Sequence, residues 1–164
     1  MKFLTDGMLG KLSRFLRIFG YDTIYANDLE EFFHVNPVPD EKLIDYAKKN
    51  DRIILTKDYP LYKSFFDKSV YLEGEGVYNY LIQLKEKLSL DFKFNIEKAR
   101  CSLCNSRLKK VEEKELIKES VLKNTFNHYN EFFQCINLQC NKIYWYGTHI
   151  IDIISKLKKK LDID

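Results

Sequence analysis

The chain has 164 residues, of which 45% are apolar and 15% aromatic, so it can bury a core, and this composition excludes a disordered chain. The formal net charge of +3 is too small to identify a nucleic-acid partner by itself. Charged residues interrupt the N-terminal stretch too often for a signal peptide, and no run of about 18 apolar residues is present to span a membrane. We therefore expect a cytoplasmic protein without a membrane partner.

The N-terminal part of the chain alternates strand-like and helix-like patterns. The stretch KFLT is typical of a short strand, and apolar residues then recur on one helical face from Met8 to Phe19, with Gly20 closing the helix. Residues 22–26, DTIYA, predict a second short strand. The following NDLEEFFHVNPVP has no periodicity and carries two prolines, so we expect an irregular loop there.

A second alternation begins at Asp40. The stretch DEKLIDYAKKN has the acidic start typical of a helix N-terminus, and RIILT is a continuous apolar run typical of a strand buried on both faces. SVYL at residues 69–72 repeats the strand pattern, and VYNYLIQLKEKLSL predicts one more helix. Strands that alternate with helices predict parallel βαβ units, so we expect an α/β fold with a parallel sheet and helices on both faces.

The composition changes near Arg100, where cysteine pairs and short β-like runs begin. We predict a first domain over residues 1–95 and a second over residues 96–164, with a small β-rich module at 101–147. The chain ends in an amphipathic helix, which we expect to pack on one of these domains. Its apolar stripe contains Ile150, Ile153, Ile154, Leu157 and Leu161.

All four cysteines lie in this second domain, as the pairs Cys101/Cys104 and Cys135/Cys140. In a reducing compartment two close pairs favour thiolate ligands over disulfides, which stay the alternative. A Cys-x-x-Cys turn offers two sulfurs to a tetrahedral zinc site with Zn–S bonds of about 2.3 Å, and a second turn completes the site. Four protein ligands leave no open position, so we expect a structural zinc rather than a catalytic one.

An asparagine follows each cysteine pair, at Asn105 and Asn141, and asparagine tolerates the left-handed conformation that such turns need. The second pair has four intervening residues instead of two, which leaves His128 or His149 open as a replacement ligand. Aromatic residues of this module, with Trp145 as the main candidate, suit base stacking on RNA, or else they cover the metal site.

Acidic residues follow the predicted strands of the first domain. Asp6 comes after KFLT, Lys57 and Asp58 come after RIILT, and Asp40 stands before the intervening helix. The carboxyl ends of parallel strands share one edge, where ligands bind, so we expect the three aspartates to gather there. Clustered carboxylates need a cation, and oxygen ligands select Mg²⁺ or Mn²⁺. The cluster therefore suggests metal-assisted phosphodiester hydrolysis.

Each of these residues also has a simpler interpretation. Asp6 or Asp40 could cap a helix, and Asp58 could be a turn residue whose carboxylate Thr56 orients through its hydroxyl. Phosphate contact is the natural use of nearby basic residues, while a solvated helix face is the alternative. The basic candidates for RNA contact are Lys11, Arg14 and Arg17 of the first helix, together with Lys57.

The strings DGMLGKLSRFLRIFGYDT, DEKLIDYAKKNDRIILTKD and RCSLCN, followed by C-x4-C and NKIYWYGTH, carry a family resemblance. They resemble the PIN-like ribonuclease domain fused to a C-terminal zinc ribbon, a family named for the C-terminal domain of the Mut-seven exonucleases. The resemblance implies a three-layer α/β/α sandwich, a Mg²⁺ or Mn²⁺ site and ribonuclease activity. By position, Asp6, Asp40 and Asp58 match the family's acidic residues. The candidates for the fourth carboxylate usual in PIN nucleases are Asp28, Glu41 and, less well matched, Asp22.

The leading hypothesis is a Mg²⁺- or Mn²⁺-dependent ribonuclease whose structural zinc ribbon aids RNA binding. The alternative is a non-catalytic RNA-binding or ribonucleoprotein-associated adaptor that uses the same surface. A third hypothesis is a toxin-like nuclease controlled by a regulatory protein partner. The resemblance also raises the expectation of a homodimer, because many PIN domains dimerise.

Overall fold

The protein is described by a computed structural model that covers residues 1–161. Its centre is a sheet of four parallel strands in the order β2-β1-β3-β4. These strands are β1 (Lys2–Thr5), β2 (Asp22–Tyr25), β3 (Ile53–Thr56) and β4 (Ser69–Tyr71). The parallel sheet predicted from the sequence is confirmed.

Helices cover both faces of this sheet. Side chains alternate along each strand, so Phe3 and Leu55 enter one core while Leu4 and Ile54 enter the other. The first face carries α1 (Gly10–Ile18), α5 (Val77–Leu88) and the C-terminal α7 (Thr148–Leu161). The second face carries α2 (Glu30–Phe33), α3 (Asp40–Lys49) and α4 (Tyr59–Ser64). The result is the α/β/α sandwich that the sequence predicted. Among residues 1–161, no helix is both long and apolar enough to cross a membrane.

Two segments on the second face of the sheet differ from the sequence prediction. The expected irregular loop contains a 3₁₀ turn at Ala26–Leu29 followed directly by α2. Burial of Leu29 and Val38 in the second core orders this segment, which local periodicity did not show. Helix α4 was not predicted, although Pro60 in its first turn is compatible with a helix start, where no backbone donor is needed.

The second module is a small antiparallel sheet with the strand order β5-β6-β7. Its elements are β5 (Leu108–Lys110), a 3₁₀ segment (Lys114–Ser120), α6 (Lys123–His128), β6 (Phe133–Cys135) and β7 (Ile143–Tyr144). Ile117, Phe132 and Ile143 form its own minor core. Helix α7 leaves this module and buries Ile153 and Leu157 in the core of the first face. The domain boundary between residues 95 and 96 stays a prediction.

The first cysteine turn covers the edge strand β2. The Asn105 side chain accepts a hydrogen bond from the Thr23 backbone N–H at 3.0 Å, and Arg17 Nε donates to the Thr23 carbonyl at 2.8 Å. The Arg100 backbone N–H donates to the Arg17 carbonyl at 2.8 Å. An uncovered edge strand is a site for unwanted strand pairing, so these bonds protect β2 while they fix the second module on the first.

Candidate active site and candidate metal centre

The predicted acidic site is at the carboxyl ends of β1 and β3, two neighbouring strands whose following connections leave in opposite directions along the sheet. From β1 the chain passes through α1 on one face, and from β3 it passes through α4 on the other face. Such a switch point leaves a crevice beyond the carboxyl ends of the two strands, and ligands of parallel α/β sheets bind there. The Asp6 backbone N–H donates to the Leu55 carbonyl at 3.1 Å, which fixes Asp6 at the crevice.

Asp6 is 5% exposed, and backbone and side-chain donors hold its carboxylate. Its Oδ1 accepts from the Met8 N–H at 2.9 Å, and its Oδ2 accepts from the Lys57 N–H at 2.9 Å and from the Thr56 hydroxyl. The Thr56 Oγ1 in turn accepts from the Asp58 N–H at 2.8 Å. Thr56 therefore orients the carboxylate of Asp6, and not that of Asp58 as the sequence suggested.

Asp40 and Asp58 begin the helices α3 and α4, and both residues are exposed. Asp58 is the N-cap of α4, since its Oδ1 accepts from the Leu61 N–H at 3.0 Å. Asp40 is the first helical residue of α3 and makes no side-chain cap. Burial, followed by the negative charges of Asp58, Asp6 and Glu41, raises the pKa of Asp40 above its ordinary value. The three predicted aspartates thus form one electrostatic cluster.

The cluster is not a closed ligand shell in this conformation. Within residues 1–161, the four cysteines are the one group of three or more candidate ligands close enough to hold a single ion. The three aspartates do not approach one another that closely. Two of them keep exposed carboxylates, while Asp6 is fixed by its hydrogen bonds.

The candidates for a fourth carboxylate lie in different surroundings. Asp28 forms an ion pair of 2.6 Å between its Oδ2 and Arg17 Nη2, so a protein cation already neutralises it. Asp22 pairs with Arg52 Nη1 at 2.7 Å at the start of β2, away from the carboxyl ends of the strands. Glu41 is the candidate whose charge acts on Asp40.

Arg17 does not lie on a solvated face of α1. It is 2% exposed, and its Nη1 donates to the carbonyls of Ser102 at 3.1 Å and Leu103 at 2.9 Å, in addition to the pair with Asp28. Its guanidinium is therefore unavailable to phosphate, which corrects the predicted RNA contact. The periodicity of α1 identified this face as polar, but the sequence did not show that the first cysteine turn covers it.

Of the other four predicted RNA contacts, two are free on the surface of the described chain and two already have partners within the protein. Lys11 and Arg14 are exposed on α1, and neither forms an ion pair within the part of the chain that the structure describes. Lys57 Nζ instead lies 2.5 Å from Glu75 Oε1. Trp145 packs against Tyr129 and Phe132, with ring centroids 6.1 Å away in each case, so it closes the minor core of the second module.

The four cysteines converge as the spacing predicted. The Sγ atoms of Cys101 and Cys140 are 3.6 Å apart, those of Cys104 and Cys135 are 3.4 Å apart, and all four lie within 4.8 Å of one another. A zinc tetrahedron with Zn–S bonds of about 2.3 Å has S···S edges of about 3.8 Å, so the residues fit this ion. All four cysteines are free thiols at distances too long for a disulfide bond of about 2.05 Å, which corrects the disulfide alternative.

The wider second pair has a local explanation. In the first turn, the Asn105 N–H donates to the Cys101 carbonyl at 2.9 Å, and in the second the Asn141 N–H donates to the Asn137 carbonyl at 2.9 Å. Asn137 thus takes the backbone position that Cys101 has, while Cys135 supplies the sulfur from two residues earlier. The φ angles of Asn105 and Asn141, 65° and 49°, confirm the left-handed conformation expected for both.

The surroundings of Cys104 favour its thiolate form, whereas burial and the neighbouring sulfurs raise the pKa values of Cys135 and Cys140. Burial acts to raise the pKa of Cys104, but hydrogen bonds from Ser106 and from neighbouring cysteines outweigh it and lower this pKa to about 6. The Tyr144 hydroxyl lies 3.1 Å from Cys101 Sγ, so this aromatic residue covers the metal site. His128 and His149 are exposed and lie outside the cysteine group, so neither replaces a cysteine.

The raised pKa of Asp40 gives a direct test of the acidic cluster. In the Asp58→Asn protein without added divalent cation, we expect the pKa of Asp40 to fall toward its ordinary value of 3.8, because one negative neighbour is gone. Carboxyl-carbon NMR titration measures this value. Since the folded-state pKa is the higher one, the contribution of Asp40 to stability decreases as the pH rises through the range between the two values. Asp45→Asn, on the exposed side of α3, is the control and should leave the titration of Asp40 unchanged.

The fold and these two sites define a class of protein, an α/β sandwich with an acidic crevice at its switch point and an attached four-cysteine module. The family model of the Mut7-C RNAse domain matches residues 1–157, and the chain belongs to this family. No curated protein and no solved structure is significantly similar to the chain. Membership indicates a ribonuclease-like role with RNA as the substrate.

Proposed function

We propose that the protein is a Mg²⁺- or Mn²⁺-dependent ribonuclease that hydrolyses RNA phosphodiester bonds at the crevice between β1 and β3. The observation that carries the proposal is the carboxylate of Asp6, held at the switch point between β1 and β3, with the charges of Asp6 and Asp58 both acting on Asp40. Negative charges gathered at a ligand-binding edge favour a cation there. The family assignment supports a reaction on RNA.

The residues of the crevice have separate roles in this proposal. Asp40 and Asp58 offer exposed carboxylates to the cation, and Asp6, held by Thr56 and by backbone donors, gives the site a fixed third carboxylate. Oxygen donors of this type suit Mg²⁺ and Mn²⁺. When bound, such an ion neutralises charge on the phosphate and lowers the pKa of a coordinated water. Glu41 is our candidate for the fourth carboxylate, in place of the Arg17-paired Asp28.

The remaining parts of the chain would bind and support the substrate site. Lys11 and Arg14 extend from the start of α1, directly after the Asp6 segment, and suit backbone phosphates. A zinc ion held by the four cysteines would staple the second module, whose own core is small. A cytoplasmic location, a regulatory or ribonucleoprotein partner and a homodimer stay predictions.

One observation favours the second candidate function, a non-catalytic RNA-binding adaptor. Protein donors already occupy both carboxylate oxygens of Asp6, and the three aspartates are too far apart to share one ion without movement. An adaptor would keep the basic residues of α1 and the docked second module, and it would bind RNA without cleaving it.

Cleavage of a mixed-sequence single-stranded RNA separates the two functions. We expect cleavage when Mg²⁺ or Mn²⁺ is added and none when no divalent cation is present, because the carboxylates need the ion to act. The metal-free arm uses dialysed protein without a chelator, since a chelator would also compete for zinc at the cysteines. RNA binding without cleavage in either metal would favour the adaptor.

A further inference from the structure

Four aromatic side chains form a cluster beside the acidic crevice, and we call this cluster the aromatic platform. Tyr59 and Tyr62 lie on α4, Phe66 follows that helix, and Tyr71 ends β4. The ring centroids of Tyr59 and Tyr71 are 5.6 Å apart, those of Tyr62 and Tyr71 are 5.8 Å apart, and those of Tyr62 and Phe66 are 5.4 Å apart. The rings therefore form one continuous surface.

The platform begins next to the carboxylates. Tyr71 pairs with Thr56 across β3 and β4, and neighbouring strands are about 4.8 Å apart. Thr56 is the residue whose hydroxyl binds the carboxylate of Asp6. On α4, Tyr59 directly follows the capping residue Asp58. An RNA strand whose backbone lies at the crevice would therefore reach the platform with its adjacent nucleotides.

The platform is more exposed than a structural core would be. Tyr59 is 51% exposed and Phe66 is 63% exposed, while Tyr62 and Tyr71 are half-buried. Lys63 Nζ lies 5.5 Å from the centroid of the Tyr59 ring, and Lys63 has no ion pair within residues 1–161. Exposed rings beside a free cation combine the two features by which proteins bind unpaired bases and their phosphates.

We infer that the aromatic platform stacks unpaired bases of the RNA, and that the substrate class is single-stranded RNA. The inference rests on the proposed function, because that function brings an RNA backbone to Asp6, Asp40 and Asp58. Bases in a duplex are stacked on each other and are not available to side chains, so the platform discriminates against double-stranded RNA. Lys11 and Arg14 lie on the α1 side of the crevice and the platform lies on the β4 side, so the strand would cross the carboxyl edge of the sheet.

The test measures RNA binding without cleavage, by fluorescence anisotropy with no divalent cation added. The probes are a short labelled single-stranded RNA, a duplex of the same sequence, and the same strand with abasic sites. For Tyr59→Leu combined with Phe66→Leu, we expect single-strand binding to weaken on the order of tenfold, with duplex binding unchanged. Tyr59→Phe keeps the ring and should bind as the original protein does. The matched control is Phe32→Leu, because Phe32 is 66% exposed in a separate aromatic cluster on α2.

The abasic strand isolates the stacking contribution. It should bind the original protein and the double variant with equal affinity, because its abasic sites carry no base that could stack on the platform. The inference is overturned if the double variant binds the intact single strand normally, or if it weakens duplex and single strand equally. A failure of the proposed function would look different, since platform-dependent binding would persist while no added metal produced cleavage.

Discussion

Replacing Asp58 with asparagine should lower RNA cleavage by at least about 100-fold while leaving the thermal unfolding temperature unchanged. The carboxylate is exposed at the crevice and acts electrostatically on Asp40, so its charge is available to a cation. Asparagine and aspartate are equally good N-caps, so the hydrogen bond to the Leu61 N–H survives the change. Initial rates of RNA cleavage in saturating Mg²⁺ or Mn²⁺, with calorimetry on the same samples, measure both effects.

Asp58 is a better target than Asp6 for this experiment. Asp6 accepts hydrogen bonds from Met8, Thr56 and Lys57, so an asparagine there would disturb the ends of β1 and β3 as well as the charge. Asp45→Asn removes a similar exposed charge from α3 and should cleave normally. Undiminished cleavage by the Asp58→Asn protein would falsify the assignment of this carboxylate to the metal site.

The sequence predicted the sheet and most of its helices because burial imposes regular patterns. The apolar runs KFLT and RIILT are strands since both faces of the sheet are covered, and α1 and α7 show their buried stripes directly. The strand-end rule, with the helix start at Asp40, predicted that Asp6, Asp40 and Asp58 gather at one edge, and the charges of Asp6 and Asp58 contribute to the raised pKa of Asp40. These features follow from local chemistry combined with one topological rule.

Residues whose surroundings come from distant parts of the chain were not predictable in this way. Arg17 has the spacing of a solvated helix residue, yet carbonyls of Ser102 and Leu103 surround its guanidinium. The aromatic platform carried a signal in the spacing of Tyr59, Tyr62 and Phe66, which repeats at helical intervals after Asp58. That spacing acquires a meaning only once β4 brings Tyr71 beside it.

The roles of Asn105 and Arg17 show that the second module contributes to the first as well as to itself. The side chain of Asn105 extends from the cysteine turn and accepts a hydrogen bond from the Thr23 N–H. Its Nδ2 donates a second hydrogen bond to Asp22 Oδ1 at 2.9 Å. Although burial acts to raise the pKa of Asp22, hydrogen bonds from Arg52 and Asn105 and nearby arginine charges lower it. Loss of the cysteine turn would therefore uncover an edge strand and remove the Ser102 and Leu103 carbonyls from Arg17 and the Asn105 amide from Asp22, while the ion pairs with Asp28 and Arg52 would stay.

Cys101→Ser should lose zinc and destabilise both modules. Binding of structural zinc contributes about 10–16 kcal/mol in zinc-finger peptides, and here the same turn also covers β2. We expect zinc content by native mass spectrometry to fall from one ion per chain to none. Thermal unfolding should begin at a lower temperature, and limited proteolysis should cut first within residues 111–147.

Asn105→Gly separates zinc binding from docking. Glycine accepts the φ angle of 65° at this position, so the cysteine turn should keep its zinc. The two side-chain hydrogen bonds to β2 are lost, each worth on the order of 1 kcal/mol, so the whole protein should unfold at a lower temperature with its zinc still bound.

A Cys101→Ser protein that lacks zinc but unfolds at the original temperature would contradict the structural role of the cysteines. A zinc-loaded Asn105→Gly protein of unchanged stability would mean that the turn holds its own module and contributes nothing measurable to β2.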